Sequence, residues 1–183
     1  DLRAHGRSEG QYVTWGAKEK YDVKAVVDEL RRRGRIPRAV YAFGSSFGGM
    51  VAVQYAAIDA DCLGALAVAP PESCSKITRR MLLVESDEVH AKALQAAAEM
   101  AGFDPNEAST IDAARTLRKP LIVVQGLLDV IVPHQHGERI VAAAGGPAKL
   151  VTLPLDGHAA EIARAHWLAI RMGQNVSQSQ FAF

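Results

Sequence analysis

One short motif constrains this chain more than any other, the Gly-x-Ser-x-Gly sequence at residues 44–48. An apolar run at 38–43 precedes it and predicts a β-strand, and a run of small residues at 50–57 follows it and predicts a helix. A strand, a tight turn and a helix in this order are the context that a serine nucleophile needs. We therefore predict that Ser46 lies at the tip of the turn with its hydroxyl exposed.

The neighbours of Ser46 support this interpretation over an ordinary Gly- and Ser-rich loop. A strained turn needs small flanking residues, and Gly44 and Gly48 are expected to supply them. The backbone N–H of Phe47, at the start of the predicted helix, is expected to point at a developing oxyanion. Ser45 is the alternative nucleophile, but it would need a small residue at position 43, which holds Phe43.

Length and charge exclude several classes of function. The chain has 183 residues, which suits one domain with a sizeable core. Its net charge is +1 and 22% of its residues are charged, so we expect no binding to nucleic acid or to a membrane surface. The sequence has no transmembrane run and no signal peptide, which favours the cytoplasm, while the missing start methionine leaves secretion open. Cys62 and Cys74 lack the spacing of a disulfide framework or a metal site, and we expect buried or idle thiols in a reducing compartment.

Predicted strands and helices alternate along the chain. Apolar runs predict strands after the first one over the ranges 63–69, 120–125 and 149–153. Apolar spacing predicts helices over the ranges 18–33, 86–101, 107–117, 135–144 and 159–172. This alternation indicates an α/β fold with a parallel sheet. The excursion at 71–119 is either a cap over the site or ordinary surface helix.

Ser46, Asp129 and His158 each follow directly after a predicted strand. Because the carboxyl ends of parallel strands meet at one edge of a sheet, the three side chains can converge there. His158 would accept the proton of the Ser46 hydroxyl, and Asp129 would orient the imidazole and stabilise its cation. Alone, Asp129 is compatible with a capping role in a turn, and His158 with a hydrogen-bonded loop position. Together with Ser46 they predict a catalytic triad.

Other acids and histidines are less suited to these roles. Asp156 is so close to His158 in sequence that it does not easily reach around the imidazole. The histidines on predicted helices or helix starts are expected at the surface: His90, His134, His136 and His166.

At this point the chain resembles the α/β-hydrolase superfamily, from residue 1 to about residue 172. The resemblance rests on the motif at 44–49, on Gly-x-x-Asp-x-x-Val-Pro at 126–133, and on Asp-Gly-His at 156–158. The opening sequence at 1–8 is similar to the loop after the family's fourth strand, with Ala4 in place of the usual glycine. The resemblance implies a structural and not a catalytic role for His5 in this loop. The aromatic and acidic residues that follow look like those of bacterial serine esterases and aminopeptidase-like hydrolases.

The resemblance implies a single α/β-hydrolase domain over 1–183, with a mostly parallel sheet, flanking helices and a cap-like excursion at 71–119. It also implies that the family's first three strands, and most of the fourth, would precede Asp1 and are absent from this sequence. The strand before Ser46 would then be a bare sheet edge. We expect either an incomplete chain or a cover for that edge from a homo-oligomer or a companion chain. No segment here matches the family's loop that gives the second oxyanion N–H.

The sequence therefore predicts a serine hydrolase that cleaves a carboxylic ester or related small-molecule acyl substrate through an acyl-enzyme, with no metal or organic cofactor. The same triad is able to cut a peptide or thioester, or to transfer the acyl group. Met81 and Leu82 are candidates for the substrate pocket, although both also suit a core. A non-catalytic binding module is the alternative from another class. A Rossmann domain is excluded because residues 44–48 do not fit Gly-x-Gly-x-x-Gly.

Overall fold

The computed structural model describes residues 1–83, 86–160 and 162–164. The helices are α1 (Glu19–Arg32), α2 (Phe47–Ile58), α3 (Cys74–Met81), α4 (Asp87–Ala101), α5 (Thr110–Thr116) and α6 (His134–Ala143). The strands are β1 (Val40–Ser45), β2 (Cys62–Val68), β3 (Leu121–Gly126) and β4 (Ala148–Leu153). A 3₁₀ turn at Pro105–Glu107 lies between α4 and α5.

The strands form one parallel sheet in the order β1-β2-β3-β4. Ser45 at the end of β1 is in register with Val68 of β2, and Gly126 of β3 is in register with Leu153 of β4. All carboxyl ends therefore lie at the same edge of the sheet. The predicted α/β fold with a parallel sheet is confirmed, and this edge receives the loops that follow β1, β3 and β4.

Helix α2 is the most deeply buried of the described helices. Every residue from 49 to 56 is buried, because mostly small and apolar side chains cover all sides of the helix, with Gln54 as the polar exception. The core between this helix, the sheet and α6 contains side chains that are at most 1% exposed, among them Val53, Ala67, Leu121, Val123 and Ile140. Packing of α2 from all sides fixes the position of the residue that precedes it, Ser46.

Strand β1 is the first strand of the sheet over the described residues. Two of its aromatic side chains are exposed, Tyr41 at 57% and Phe43 at 41%. That a further segment or a second chain packs beside this strand stays a prediction.

The helices agree with the sequence analysis except within residues 71–119. There the structure adds α3, which begins after Ser73, whose hydroxyl oxygen accepts the N–H of Lys76 at 3.3 Å. Only Cys74 and Ile77 of this short helix are buried, so the apolar pattern is too brief to reveal it. Most of the helix predicted over 159–172 lies outside the described residues. Of the helices that are described, none is long and apolar enough to cross a bilayer.

The two cysteines are free and buried, as expected. Burial raises the pKa of the Cys62 thiol, and it raises the pKa of the Cys74 thiol to about 12. A thiol with a raised pKa carries little of the nucleophilic thiolate at neutral pH. Neither cysteine therefore competes with Ser46 as a nucleophile.

Candidate active site

Ser46 occupies the turn between β1 and α2 in a backbone conformation that L-residues rarely adopt, with φ 52° and ψ −122°. Its N–H donates to the carbonyl oxygen of Val68 at 2.7 Å, which ties the turn to β2. The packing of the buried helix α2 maintains this strained conformation, which the backbone of a serine would not prefer by itself. The predicted order of strand, turn and helix is present, with Ser46 at the bend.

The space around this turn depends on glycines, but not on both of the predicted ones. A Cβ on Gly44 would lie 2.1 Å from the carbonyl oxygen of Gly48, so no larger residue fits there without a backbone shift. A Cβ on Gly48 would meet no atom within 4 Å, so the requirement for a small residue at that position is wrong. Gly49 is tighter, since its Cβ would lie 3.1 Å from the Gly44 oxygen and 3.2 Å from the Val68 oxygen.

The side chains of Ser46, His158 and Asp129 lie in a row. His158 Nε2 is 3.0 Å from Ser46 Oγ, and His158 Nδ1 is 2.7 Å from Asp129 Oδ2. Both separations are hydrogen-bond distances. The Asp129 side chain is fully buried and that of His158 is 15% exposed. The structure thus brings together the three residues that the sequence singles out.

Two loops that run side by side create this arrangement. The N–H of Leu127 donates to the carbonyl oxygen of Leu153 at 3.0 Å, and the N–H of Leu128 donates to that of Asp156 at 3.1 Å. These bonds hold the loop after β3 against the loop after β4. The carboxylate of Asp156, the alternative acid, lies 2.8 Å from Nε of Arg164. It is Asp129, and not Asp156, that contacts the imidazole.

Donors from its own loop orient the Asp129 carboxylate. Oδ1 accepts the backbone N–H groups of Ile131 and Val132, both at 2.8 Å. Oδ2, the oxygen that faces His158, also lies 3.3 Å from Nε2 of Gln125. Sequence reasoning missed Gln125, since an amide at the end of an apolar strand run marks the residue as unusual but does not indicate what it contacts.

Phe47 begins α2, and its N–H belongs to the first helical turn, where N–H groups have no partner within the helix. Its ring is stacked on His5, with centroids 6.1 Å apart, and meets the edge of Trp15 at 5.7 Å. These ring contacts give His5 a packing role. The oxyanion role of the Phe47 N–H stays a prediction.

Met81 and Leu82 lie at the end of α3 and are 61% and 63% exposed, which excludes a core position for them. The preceding residue, Arg80, donates from Nε and Nη2 to the carbonyl oxygen of Val130 at 2.9 and 2.6 Å. The end of α3 is therefore tied to the loop that carries Asp129. A substrate pocket formed by Met81 and Leu82, and a cap formed by the excursion, stay predictions.

Two histidines that we expected at the surface are buried instead, His90 and His136, each 5% exposed. The ring of His90 faces a threonine hydroxyl of α3, a helix that the sequence analysis did not include. His136 Nδ1 accepts the N–H of Glu72 at 3.1 Å, because the loop after β2 packs over the start of α6. His134 is partly exposed, and His166 lies outside the described residues.

His136 is expected to make the stability of the fold depend on pH. Burial lowers its pKa from the usual 6.5, and together with Arg139 and Arg80 it outweighs the opposing effect of the Glu72 and Asp129 carboxylates. Below about pH 6.5 the unfolded chain binds a proton there that the folded chain does not. The free energy of unfolding should therefore decrease as the pH is lowered, by at most about 1.4 kcal/mol per pH unit. His136→Asn, whose amide oxygen is able to accept the Glu72 N–H, should reduce this slope. Urea unfolding at about pH 7.5 and about pH 5.5 measures it, and equal slopes in both proteins would contradict the prediction.

Residues 8–173 match the prolyl oligopeptidase family (Peptidase_S9). No curated protein sequence gives a significant match. Many solved structures match this chain, and three of them illustrate the similarity.

The esterase Pf2001 from Pyrococcus furiosus is 21% identical with a TM-score of 0.71, and the match covers 95% of this chain and 67% of that one. Est1E from Butyrivibrio proteoclasticus, solved with ferulic acid bound, is 19% identical with a TM-score of 0.70, over 97% of this chain and 76% of that one. An α/β serine hydrolase homologue from Coxiella burnetii is 21% identical with a TM-score of 0.60, over 93% and 65%. The fold is therefore that of the α/β-hydrolases.

Proposed function

The chain belongs to the prolyl oligopeptidase family and is a hydrolase, and we propose that it cleaves a carboxylic ester or a related small acyl substrate through Ser46, His158 and Asp129. One observation carries the proposal, the continuous row of hydrogen-bond distances from Ser46 Oγ through the imidazole to Asp129. A serine hydroxyl is a weak nucleophile without a base beside it, and this row supplies the base together with a group that orients it.

The mechanism follows from the placement of the two ring nitrogens. Asp129 Oδ2 accepts the Nδ1–H of His158, which leaves Nε2 with a lone pair directed at Ser46 Oγ. As Oγ attacks the acyl carbonyl, Nε2 takes the hydroxyl proton, and the imidazolium then gives it to the departing alkoxide. Water, deprotonated by the same nitrogen, releases the acid and restores Ser46. Asp129 stays ionised throughout and stabilises the imidazolium.

The oxyanion of the tetrahedral intermediate is assigned to the N-terminus of α2. The Phe47 N–H lies beside the nucleophile in sequence, and the helix dipole favours negative charge at this end. We assign the acyl group to the side of the exposed Met81 and Leu82, since Arg80 ties the end of their helix to the Asp129 loop. No cofactor is needed for any of these steps.

Peptide hydrolysis is the second candidate, because the family match is to oligopeptidases. The same residues would then protonate an amine leaving group. Thioester cleavage and acyl transfer share this machinery, and a binding module would retain the fold without turnover. The ratio of kcat/KM for a short aryl ester to kcat/KM for the matching aminoacyl amide separates the candidates. A higher value for the amide would favour the peptidase.

A fluorophosphonate, which reacts only with an activated serine, is expected to form a single adduct on this protein. Intact-mass measurement followed by peptide mapping should place the adduct on Ser46, because His158 Nε2 lies 3.0 Å from its hydroxyl. Ser45→Ala is the matched control, since it removes the neighbouring hydroxyl, and it should react like the parent protein. An adduct on Ser45, or none on well-folded protein, would overturn the proposed function.

A further inference from the structure

Gln125 is a buried polar residue that the mechanism above does not use. It lies in β3, opposite Thr152 of β4, and its side chain is fully buried. Helix α6 packs closely above it, since a Cβ on Gly137 would lie 3.3 Å from the Gln125 Cβ. Its Nε2 is 2.8 Å from the carbonyl oxygen of Val132 and 3.3 Å from Asp129 Oδ2. The amide therefore spans the turn between the end of β3 and the start of α6.

The orientation of this amide follows from its neighbours. Both atoms near Nε2 are hydrogen-bond acceptors, so the NH₂ group must point at them and the oxygen must point away. Among the residues that the structure describes, Oε1 has no hydrogen-bond partner. A buried polar atom without a partner lowers stability, and the apolar residues found elsewhere in this strand would avoid that cost. The NH₂ group of Gln125 is thus the part of the side chain that makes hydrogen bonds.

We propose that Gln125 is a positioning residue, which holds the Asp129 carboxylate in place and shares its charge with His158. Both Gln125 Nε2 and His158 Nδ1 approach the same oxygen, Oδ2. A donor on that oxygen draws off part of the negative charge that stabilises the imidazolium, so it favours the neutral, proton-accepting ring. The bond to Val132 fixes the turn around the carboxylate at the same time. This inference rests on the proposed function of Ser46, His158 and Asp129.

Other charged groups surround this part of the site and stay unchanged when Gln125 is replaced. Helix α3 contributes Arg80, which bonds to the Asp129 loop, and α6 contributes the buried His136, which interacts electrostatically with Asp129. In the described part of the chain, further charged groups nearby include two ion pairs, Arg139 with Glu72 and Arg164 with Asp156. A change in the titration of His158 on replacing Gln125 alone therefore reports on Gln125.

Gln125→Met removes both hydrogen bonds at nearly constant size and is the first test. The acidic limb of the pH profile of kcat/KM on an aryl ester reports the base of the free enzyme. We expect this limb to move to higher pH by about 0.5 unit, because the imidazolium gains the charge that Gln125 no longer shares. We expect kcat to fall about tenfold, because the carboxylate is less well held.

Gln54→Met is the matched control. Gln54 is also an amide, 1% exposed, with an Oε1 that has no partner in the described part of the chain, and its Nε2 donates to the Trp15 carbonyl oxygen at 3.1 Å. Its replacement should lower stability in a similar way and leave the acidic limb in place. An unmoved limb in Gln125→Met, or an equal movement in both variants, would overturn the inference.

A measurement on the unaltered protein makes the test independent of turnover and of the folding of the variant. In a ¹⁵N NMR titration the side-chain amide of Gln125 should exchange slowly with solvent, and its resonance should shift as the His158 ring titrates. An amide resonance that ignores this titration would overturn the inference even if the protein is active. A coupled titration in a protein that forms no fluorophosphonate adduct would support the role of Gln125 while the proposed function fails.

Discussion

His158→Ala is expected to lower kcat/KM for an aryl ester by roughly 10⁵- to 10⁶-fold, as is Ser46→Ala. The imidazole is the group within hydrogen-bond distance of the nucleophile, with Nε2 at 3.0 Å from Oγ, so its loss leaves a hydroxyl that attacks only slowly. Because the two residues act as a unit, the double variant should be no slower than either single one. Steady-state kinetics on proteins with matched circular dichroism spectra measure all three.

His90→Ala is the control for the loss of a histidine as such. This ring is buried and lies 3.0 Å from Thr78 Oγ1, in the contact between α4 and α3. Its replacement should cost stability and leave kcat/KM close to the parent value. If His158→Ala kept more than about one per cent of the parent activity, the base would have to be another residue and the proposed mechanism would be wrong.

The three residues of this row were accessible to sequence analysis because each one carries a local signal. Ser46 has the glycine motif around it, and Asp129 and His158 each follow an apolar run that is long enough to be recognised as a strand. Parallel topology then predicts that the three residues lie near one another, because it places the carboxyl ends of the strands at one edge of the sheet. This prediction requires no information on side-chain packing. Strand order alone does not set the final distances, since hydrogen bonds between the loops after β3 and β4 hold Asp129 and His158 beside each other.

What sequence analysis could not find depends on which elements pack against one another. His136 is at a helix start, which is usually exposed, and it becomes buried only because Glu72 and its loop cover it. His90 is buried by α3, a helix with too few apolar residues to be recognised. The role of Gln125 required the direction of one side chain in a strand and the path of the turn that follows. These are tertiary facts, and no periodicity in the sequence encodes them.

The glycines of the turn show the same limit of sequence analysis at the level of single atoms. A motif treats Gly44 and Gly48 as equivalent, because both flank the serine in sequence. In three dimensions, of these two glycines Gly44 alone faces other backbone atoms. The second close approach is made by Gly49, which lies near the carbonyl oxygens of Gly44 and Val68. The motif therefore identifies the turn correctly and assigns one of its two steric constraints to the wrong residue.

Gly44→Ala is expected to lower the free energy of unfolding by about 3 kcal/mol or more. The new Cβ would lie 2.1 Å from the oxygen and 2.3 Å from the carbonyl carbon of Gly48. These are backbone atoms at the start of α2, a helix that is buried on all sides, so they are not free to move aside as a flexible side chain would be. Relief requires β1 and α2 to separate, which would also displace Ser46 from His158 and slow the reaction with a fluorophosphonate.

Gly48→Ala makes the same chemical change four residues later and should have the opposite sign. No atom lies within 4 Å of the Cβ that it would add, and the residue has helical backbone in α2. Alanine is favoured over glycine in a helix by about 0.5–1 kcal/mol, so the variant should be slightly more stable than the parent protein. Urea unfolding midpoints of the two variants measure the difference. Equal midpoints would mean that the strand end and the helix start do not approach each other as closely as this structure has them.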